Sequence, residues 1–233
     1  MRRHKMPGRG LGEFTIVPAI WPVNLQTAAN PGDFVSMKNW NYCTTVLQIG
    51  TNGSSGTCVV TFDKAALVAG GTTTLAFSEY WVTAWRLDYD APVNTAAEKF
   101  TVGETITGAA AGELVVWADY GDHIIGYTYN NTTFVDNELI TGGTSNRTAY
   151  ANGVQKDEDM LVPRTATANT FTTQAVANRT YAVQHAAADL GDGYVTLQID
   201  VAQASQATTI GSAFYVLSEG RYIGEPMPTA IYD

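Results

Sequence analysis

Two glutamates occupy equivalent places in a pair of matching phrases, and paired carboxylates are the usual machinery of glycoside hydrolysis. Phe100-Thr101-Val102-Gly103-Glu104-Thr105-Ile106-Thr107-Gly108 recurs thirty-four positions later as Phe134-Val135-Asp136-Asn137-Glu138-Leu139-Ile140-Thr141-Gly142. The shared pattern F-x-x-x-E-x-I-T-G could set an acid and a base at Glu104 and Glu138. A plainer reading fits the setting better. Each Glu follows a turn, at Gly103 or Asn137, where a carboxylate can accept nearby backbone N–H groups. Glu repeated within a repeated turn is architecture, so no catalytic residue is expected here.

The other reactive residue types are scattered. His4, His123 and His185 have no metal-ligand spacing and no triad partner. Cys43 and Cys58 flank the turn-forming stretch 51–56. If that stretch closes a hairpin, Cys43 faces Lys64 and Cys58 faces Ile49, so the register predicts two buried thiols and neither a disulfide nor a metal site. Asp189-Leu190-Gly191-Asp192-Gly193 resembles part of a calcium loop but lacks the twelve-residue pattern and its terminal Glu, and reads as a hairpin turn. Gly70-Gly71 and Gly142-Gly143 match no phosphate or dinucleotide loop, and Ser54, Ser55 and Ser212 lack a nucleophile elbow. These residues point away from an enzyme and imply no cofactor and no metal.

The elements that would hold such residues are short strands. Phe14-Thr15-Ile16-Val17 alternates, is broken by Pro18 and Pro22, and resumes at Val23-Asn24-Leu25; Asn30-Pro31-Gly32-Asp33 is a turn. Runs 34–37, 42–49, 57–62 and 72–77 are β-branched or aromatic and bounded by Gly, Asn or Asp, and 63–68 reads as a helical turn or a bulged strand. In Tyr80 to Leu87, Trp81, Thr83 and Trp85 share one face and Val82, Ala84 and Arg86 the other; the tryptophans read as core or as interface. The texture changes near Asp88, where the repeat begins, and returns after Asp157-Glu158-Asp159. Tyr194 to Val201 then alternates as a half-buried antiparallel strand, with Val195, Leu197, Ile199 and Val201 on one face. The reading is all-β: a basic arm over 1–13, a discontinuous, jelly-roll-like antiparallel β-sandwich over 14–90 and 156–233, and an inserted two-repeat, barrel-like β module over 91–155.

Charge narrows the partners. The chain of 233 residues carries a formal net charge of −9, yet Arg2, Arg3, Lys5 and Arg9 all fall within the first ten residues. The acidic remainder repels nucleic acid, which is not an expected partner. The basic stretch reads as a solvated terminus or as an arm lying on an acidic neighbour. No run approaches the roughly eighteen apolar residues of a membrane span, and no secretory signal follows Met1, so synthesis in the cytosol is expected.

Both ends of the sequence carry a resemblance. Ile20 to Trp40 (IWPVNLQTAANPGDFVSMKNW), Phe214 to Tyr222 (FYVLSEGRY) and Met227 to Asp233 (MPTAIYD) resemble a family of small virion proteins of tailed bacteriophages, whose members read PVNL, TAAN and GDWVSLKN near the start and YILTEPRYP and MPSAI-D near the end. Those relatives pass directly from the strand like Tyr80–Leu87 to the one near Phe171, and this chain departs by carrying the module between them. The phrase FTVGETITG is itself similar to repeats of phage fibre and surface proteins. The resemblance implies a capsid decoration or cement protein, made in the host bacterial cytoplasm and carried on the outer capsid surface as a homo-oligomer bound to the major capsid protein. Arg2, Arg3, Lys5 and Arg9 are then the candidate capsid-contact arm, and Trp21, Trp40, Trp81 and Trp85 the candidate interface aromatics. A tail, neck or receptor-binding component is the alternative, and a virion-borne glycan hydrolase using Glu104 and Glu138 a distant one.

Overall fold

Runs of Val, Ile, Thr and aromatic residues fit a pleated, half-buried surface, and the chain builds strands from almost all of them. The computed structural model describes residues 14–25, 29–52, 56–66, 71–90, 99–128, 133–153, 156–203, 208–221 and 231–232. Strands β1 (Phe14–Asn24), β2 (Asn30–Pro31), β3 (Phe34–Ser36), β4 (Trp40–Asn52), β5 (Cys58–Ala65), β6 (Thr73–Thr74) and β7 (Glu79–Asp88) form the first part. The repeat region gives β8 (Thr105–Gly108), β9 (Glu113–Asp119), β10 (His123–Tyr127), β11 (Leu139–Gly142) and β12 (Thr148–Tyr150). The rest forms β13 (Lys156–Thr165), β14 (Phe171–Thr172), β15 (Arg179–Ala186), β16 (Thr196–Gln203), β17 (Thr209–Gly220) and β18 (Ile231–Tyr232). The fold is all-β and antiparallel, with one short 3-10 turn, Ala187–Leu190, as the only helical element among the described residues.

Eight of these strands make a jelly roll. One sheet has the order β1-β17-β4-β15 and the other β3-β16-β5-β14. The chain changes sheet at every step through β1, β3, β4, β5, β14, β15, β16 and β17, except between β5 and β14. That path is the pair of interlocked Greek keys that defines a jelly roll. Both inner faces feed one core, with Leu47, Tyr181 and Tyr215 from the first sheet meeting Val60, Phe62, Leu197 and Ile199 from the second. Buried Tyr215 ties the layers: its hydroxyl accepts the Ile199 N–H at 2.9 Å and donates to the Asp33 carbonyl at 2.9 Å.

Three sequence expectations change. The stretch between β4 and β5 does not close a hairpin, because the two strands lie in opposite sheets. Cys43 pairs with Leu217 and His185 in one sheet, and Cys58 with Gln203 in the other. Alternating strands bury their apolar faces equally well by pairing edge to edge or by packing face to face, so the alternation left both routes open. For the same reason Asp189–Gly193 is not a hairpin but part of the arch from β15 to β16, where the Asp189 carboxylate accepts the Ala186 N–H at 2.7 Å. Pro18 and Pro22 do not break β1, which runs through both with irregularities at 18–20 and 20–23. β1 ends its sheet, and an outer edge tolerates residues that have no N–H to donate.

Strand β7 extends the first sheet beyond β15 and serves two cores. Tyr80, Val82 and Ala84 enter the sandwich core, whereas Trp85, Leu87 and Tyr89 enter a second cluster with Phe100, Ile106, Leu114, Val116, Ile124, Phe134 and Ile140. Successive side chains on a strand point to opposite faces, so the change from even to odd positions puts the two cores on opposite sides of one strand. Around the second cluster the sheet continues β7-β10-β9-β8-β11-β12. It then returns to its start, since the Asp90 N–H donates to the Tyr150 carbonyl and the Asn152 N–H to the Asp88 carbonyl, both at 2.9 Å. These strands curl into a small barrel.

Candidate functional site

The repeated phrase comes together as a dyad. β8 and β11 pair antiparallel with Thr107 opposite Thr141, Ile106 opposite Gly142 and Gly108 opposite Ile140. Equivalent residues are therefore exchanged by a pseudo-twofold axis at the two threonines. Gly103 and Asn137 both have positive φ, 87° and 60°, the left-handed conformation that Gly and Asn adopt most readily.

Each glutamate closes its own turn and reaches into the other repeat. The Glu104 carboxylate accepts the Thr101 N–H at 2.6 Å, the Thr144 and Ser145 N–H groups at 2.8 Å, and the Ser145 hydroxyl at 2.7 Å. Glu138 accepts the Val135 N–H at 2.6 Å and the Ala110 N–H at 2.9 Å. Burial alone raises a carboxyl's pKa, yet the donors around Glu104 outweigh it and hold the group below its ordinary value. The glycines of the phrase make room: a Cβ on Gly108 falls 2.7 Å from the Glu138 carboxylate, and one on Gly142 falls 2.7 Å from that of Glu104. Pattern F-x-x-x-E-x-I-T-G is thus a core Phe, a bridging Glu, a core Ile, an axial Thr and a Gly that clears the other Glu. The glutamates seal a folding unit.

The remaining reactive residues are separated. His185 is buried against Phe62 and Phe77, ring centroids 4.7 and 6.0 Å away, and burial lowers its pKa to about 4. His123 stacks on Tyr120 and pairs with Asp122 at 2.6 Å on the barrel surface. Cys43 and Cys58 are free and buried; desolvation pushes Cys43 up to about 12 and raises Cys58 as well. Among the described residues no group of His, Cys, Asp and Glu could hold a metal ion, and no helix is long and apolar enough to cross a membrane.

The candidate contact residues divide by burial. Trp21 on β1 is 70% exposed, whereas Trp40 at 3% and Trp85 at 8% are core residues and Trp81 is half-buried. Trp85 also packs under a buried cation: the Arg179 guanidinium lies 3.9 Å from the ring centroid and binds Asp157 at 2.6 Å. Periodicity could not separate these roles, because Trp85 stands where β7 changes the face that it buries. Arg2, Arg3, Lys5, Arg9 and His4 lie outside the described residues. Trp21 does not stand alone: Ile16 and Val23 on the same strand are exposed, and so is Ile210, whose partner in the ladder is Asn24. Among the described residues β1 is therefore the last strand of its sheet and carries exposed apolar side chains, with its Ala19 carbonyl accepting the Asp33 N–H at 2.9 Å. The sequence signal for it was the Ile16, Trp21, Val23 spacing around two prolines, which marks an edge strand but not which side chains stay uncovered.

The segments that carry the phage resemblance are spatial neighbours. Trp40 pairs with Gly220 of β17, and β18 pairs with β3. No protein-family model matches the chain, and comparison with the curated proteins returns no match.

Proposed function

We propose that the chain is a non-enzymatic structural protein of a tailed-bacteriophage virion, and that it is a decoration or cement protein on the outer capsid surface. The observation that carries this reading is β1, the last strand of its sheet, where Trp21, Ile16 and Val23, with Ile210 on the neighbouring β17, leave apolar side chains exposed. Apolar patches of this kind mark contact surfaces, and a strand edge adds direction to them. The resemblance at both chain ends supports the reading, since it covers Trp21 and Val23 among these exposed residues. Jelly rolls serve capsid and lectin domains alike, so the fold is compatible with the role without selecting it.

The mechanism is interface burial. Copies of the chain, associated as a homo-oligomer, contact the major capsid protein across neighbouring capsomers, and each interface of standard size (~1,600 Å²) adds to the barrier against shell rupture. In this reading Arg2, Arg3, Lys5 and Arg9, which precede β1 in the sequence and lie outside the described residues, pair with acidic capsid groups. The test is to strip the protein from particles and add back the wild type or Trp21→Lys. Wild type restores heat and osmotic resistance and the variant does not; particles equally resistant with and without the protein would falsify the cement role. A tail, neck or receptor-binding position is the second reading, favoured by the barrel that stands apart from the jelly-roll core on the opposite face of β7, and copy number per particle decides between them.

A further inference from the structure

Strands β7 and β15 stay together for only part of their length. Their pairing is confined to Tyr181 opposite Val82 and Ala182 opposite Trp81, because the segment leading into β7 comes from the other sheet, where the Leu75 N–H donates to the Phe62 carbonyl at 2.7 Å. β15 meanwhile continues along β4 as far as Ala186. The gap between β15 and the incoming chain is a cavity of about 270 Å³, at the small end of ligand sites. Phe77 and Trp81, both half-buried, form its aromatic walls, and Ser78, Glu79, Gln184 and Asp189 are exposed at its rim.

The buried residue of the lining is His185. It is 1% exposed, and its Nε2 has no hydrogen-bond partner among the described residues. Buried polar atoms are almost always bonded, so an occupant whose hydroxyl reaches this nitrogen satisfies it. Charge narrows the occupant further. Glu79 and Asp189 are the carboxylates of the cavity, and they repel an anion. A cation is disfavoured as well, because Arg164 lines the adjoining cavity together with Glu79. A neutral ligand rich in hydroxyl groups fits both conditions. The carboxylates accept its hydroxyls, and so does the carbonyl of the Gln184 amide, whose Nε2 donates to the Thr44 hydroxyl at 3.3 Å. The aromatic walls pack against its C–H face.

We infer that this cleft binds a neutral sugar residue, with Glu79, Asp189 and Gln184 accepting its hydroxyls, Trp81 and Phe77 against its apolar face and one hydroxyl on His185 Nε2. This site stands on the cleft alone, independent of the β1 edge.

The experiment titrates the isotope-labelled full chain with methyl glucoside, methyl galactoside, methyl mannoside, glucuronate and butylammonium, following the backbone amides and the Trp81 indole N–H. At least one neutral glycoside is expected to move Ser78, Gln184 and the Trp81 indole with a dissociation constant on the order of 1 mM, and glucuronate and butylammonium to bind at least about tenfold more weakly. Glu79→Ala weakens the bound glycoside by about tenfold, and Gln184→Ala by about threefold. Both positions are exposed, so either variant serves if the other does not fold. Glucuronate or butylammonium binding as tightly as the best glycoside would reduce the cleft to a charge contact and overturn the inference. So would the absence of shifts in the cleft with every glycoside, or an affinity that both variants leave unchanged.

Discussion

Replacing His185 by Leu should remove a pH-dependent part of the stability. The imidazole lies in the sandwich core against Phe62 and Phe77. Burial takes its pKa from an ordinary 6.5 down to about 4, with Asp189 acting weakly in the opposite direction. The folded chain therefore prefers neutral imidazole. Above pH 6.5 the residue is neutral in both the folded and unfolded states, and its favourable burial is fully present. As the pH falls from 6.5 towards 4 the unfolded state takes up the proton first, so stability declines; below 4 the folded state is protonated too and the loss stops. Each pH unit within that window costs about 1.4 kcal/mol, so the window removes roughly 3 kcal/mol, or on the order of 10 °C in Tm for a chain of this size. Urea unfolding of wild type and His185→Leu at several pH values from 4 to 8 isolates this contribution, because the carboxylates common to both proteins cancel in the difference. The wild type should lose about 3 kcal/mol more than the variant between pH 7 and pH 4. Parallel profiles, or a His185 ring resonance that titrates near 6.5 in the folded protein, refute the reasoning.

The barrel, the buried cation and the thiols give four more tests. Glu104→Ala strands the Thr101, Thr144 and Ser145 donors and should destabilise the chain by about 3 kcal/mol, with faster amide exchange at Thr144 and Ser145 as the local readout. Gly108→Ala forces a methyl into the Glu138 carboxylate at 2.7 Å and should cost about 1–3 kcal/mol, whereas Gly121→Ala meets no atom within 4 Å and tests φ strain alone. Arg179→Met should cost about 1–2 kcal/mol, less than a typical buried ion pair, because Asp157 is largely exposed and is left hydrated; tryptophan fluorescence follows the change at Trp85. Cys43 and Cys58 should both resist a thiol reagent in the folded protein and both react after unfolding, since desolvation disfavours their thiolates.

The strands were legible because alternation and β-branching are local signals. The run before Trp40 and the two repeated phrases appear where their residues indicate, and so do Leu197, Ile199 and Val201 on one buried face; Tyr194 and Val195 precede the strand, and Val195 is exposed. Pairing was less so. The stretch between Cys43 and Cys58 looks the same whether it turns a hairpin or bridges two sheets, and the decision rests with Leu217, His185 and Gln203, far away in sequence. The reciprocity of Glu104 and Glu138 was likewise hidden, since each Glu could be assigned to its own turn but not to the loop of the other repeat. Trp85 shows a third limit: a strand that buries one face at Val82 and the other at Leu87 has no single hydrophobic side for a periodicity to report.

That shared strand has a mechanical consequence. A module joined by a linker swings, and a pull on it is absorbed by the linker. Here the barrel has no such joint along β7, because one uninterrupted strand leaves the sandwich core at Ala84 and enters the barrel at Trp85. A pull on the barrel along that strand loads the ladders from β7 to β13 and β15 in shear, many hydrogen bonds at once. The barrel is held at a fixed angle to the jelly roll, and whatever it meets at the surface is felt by the whole sheet.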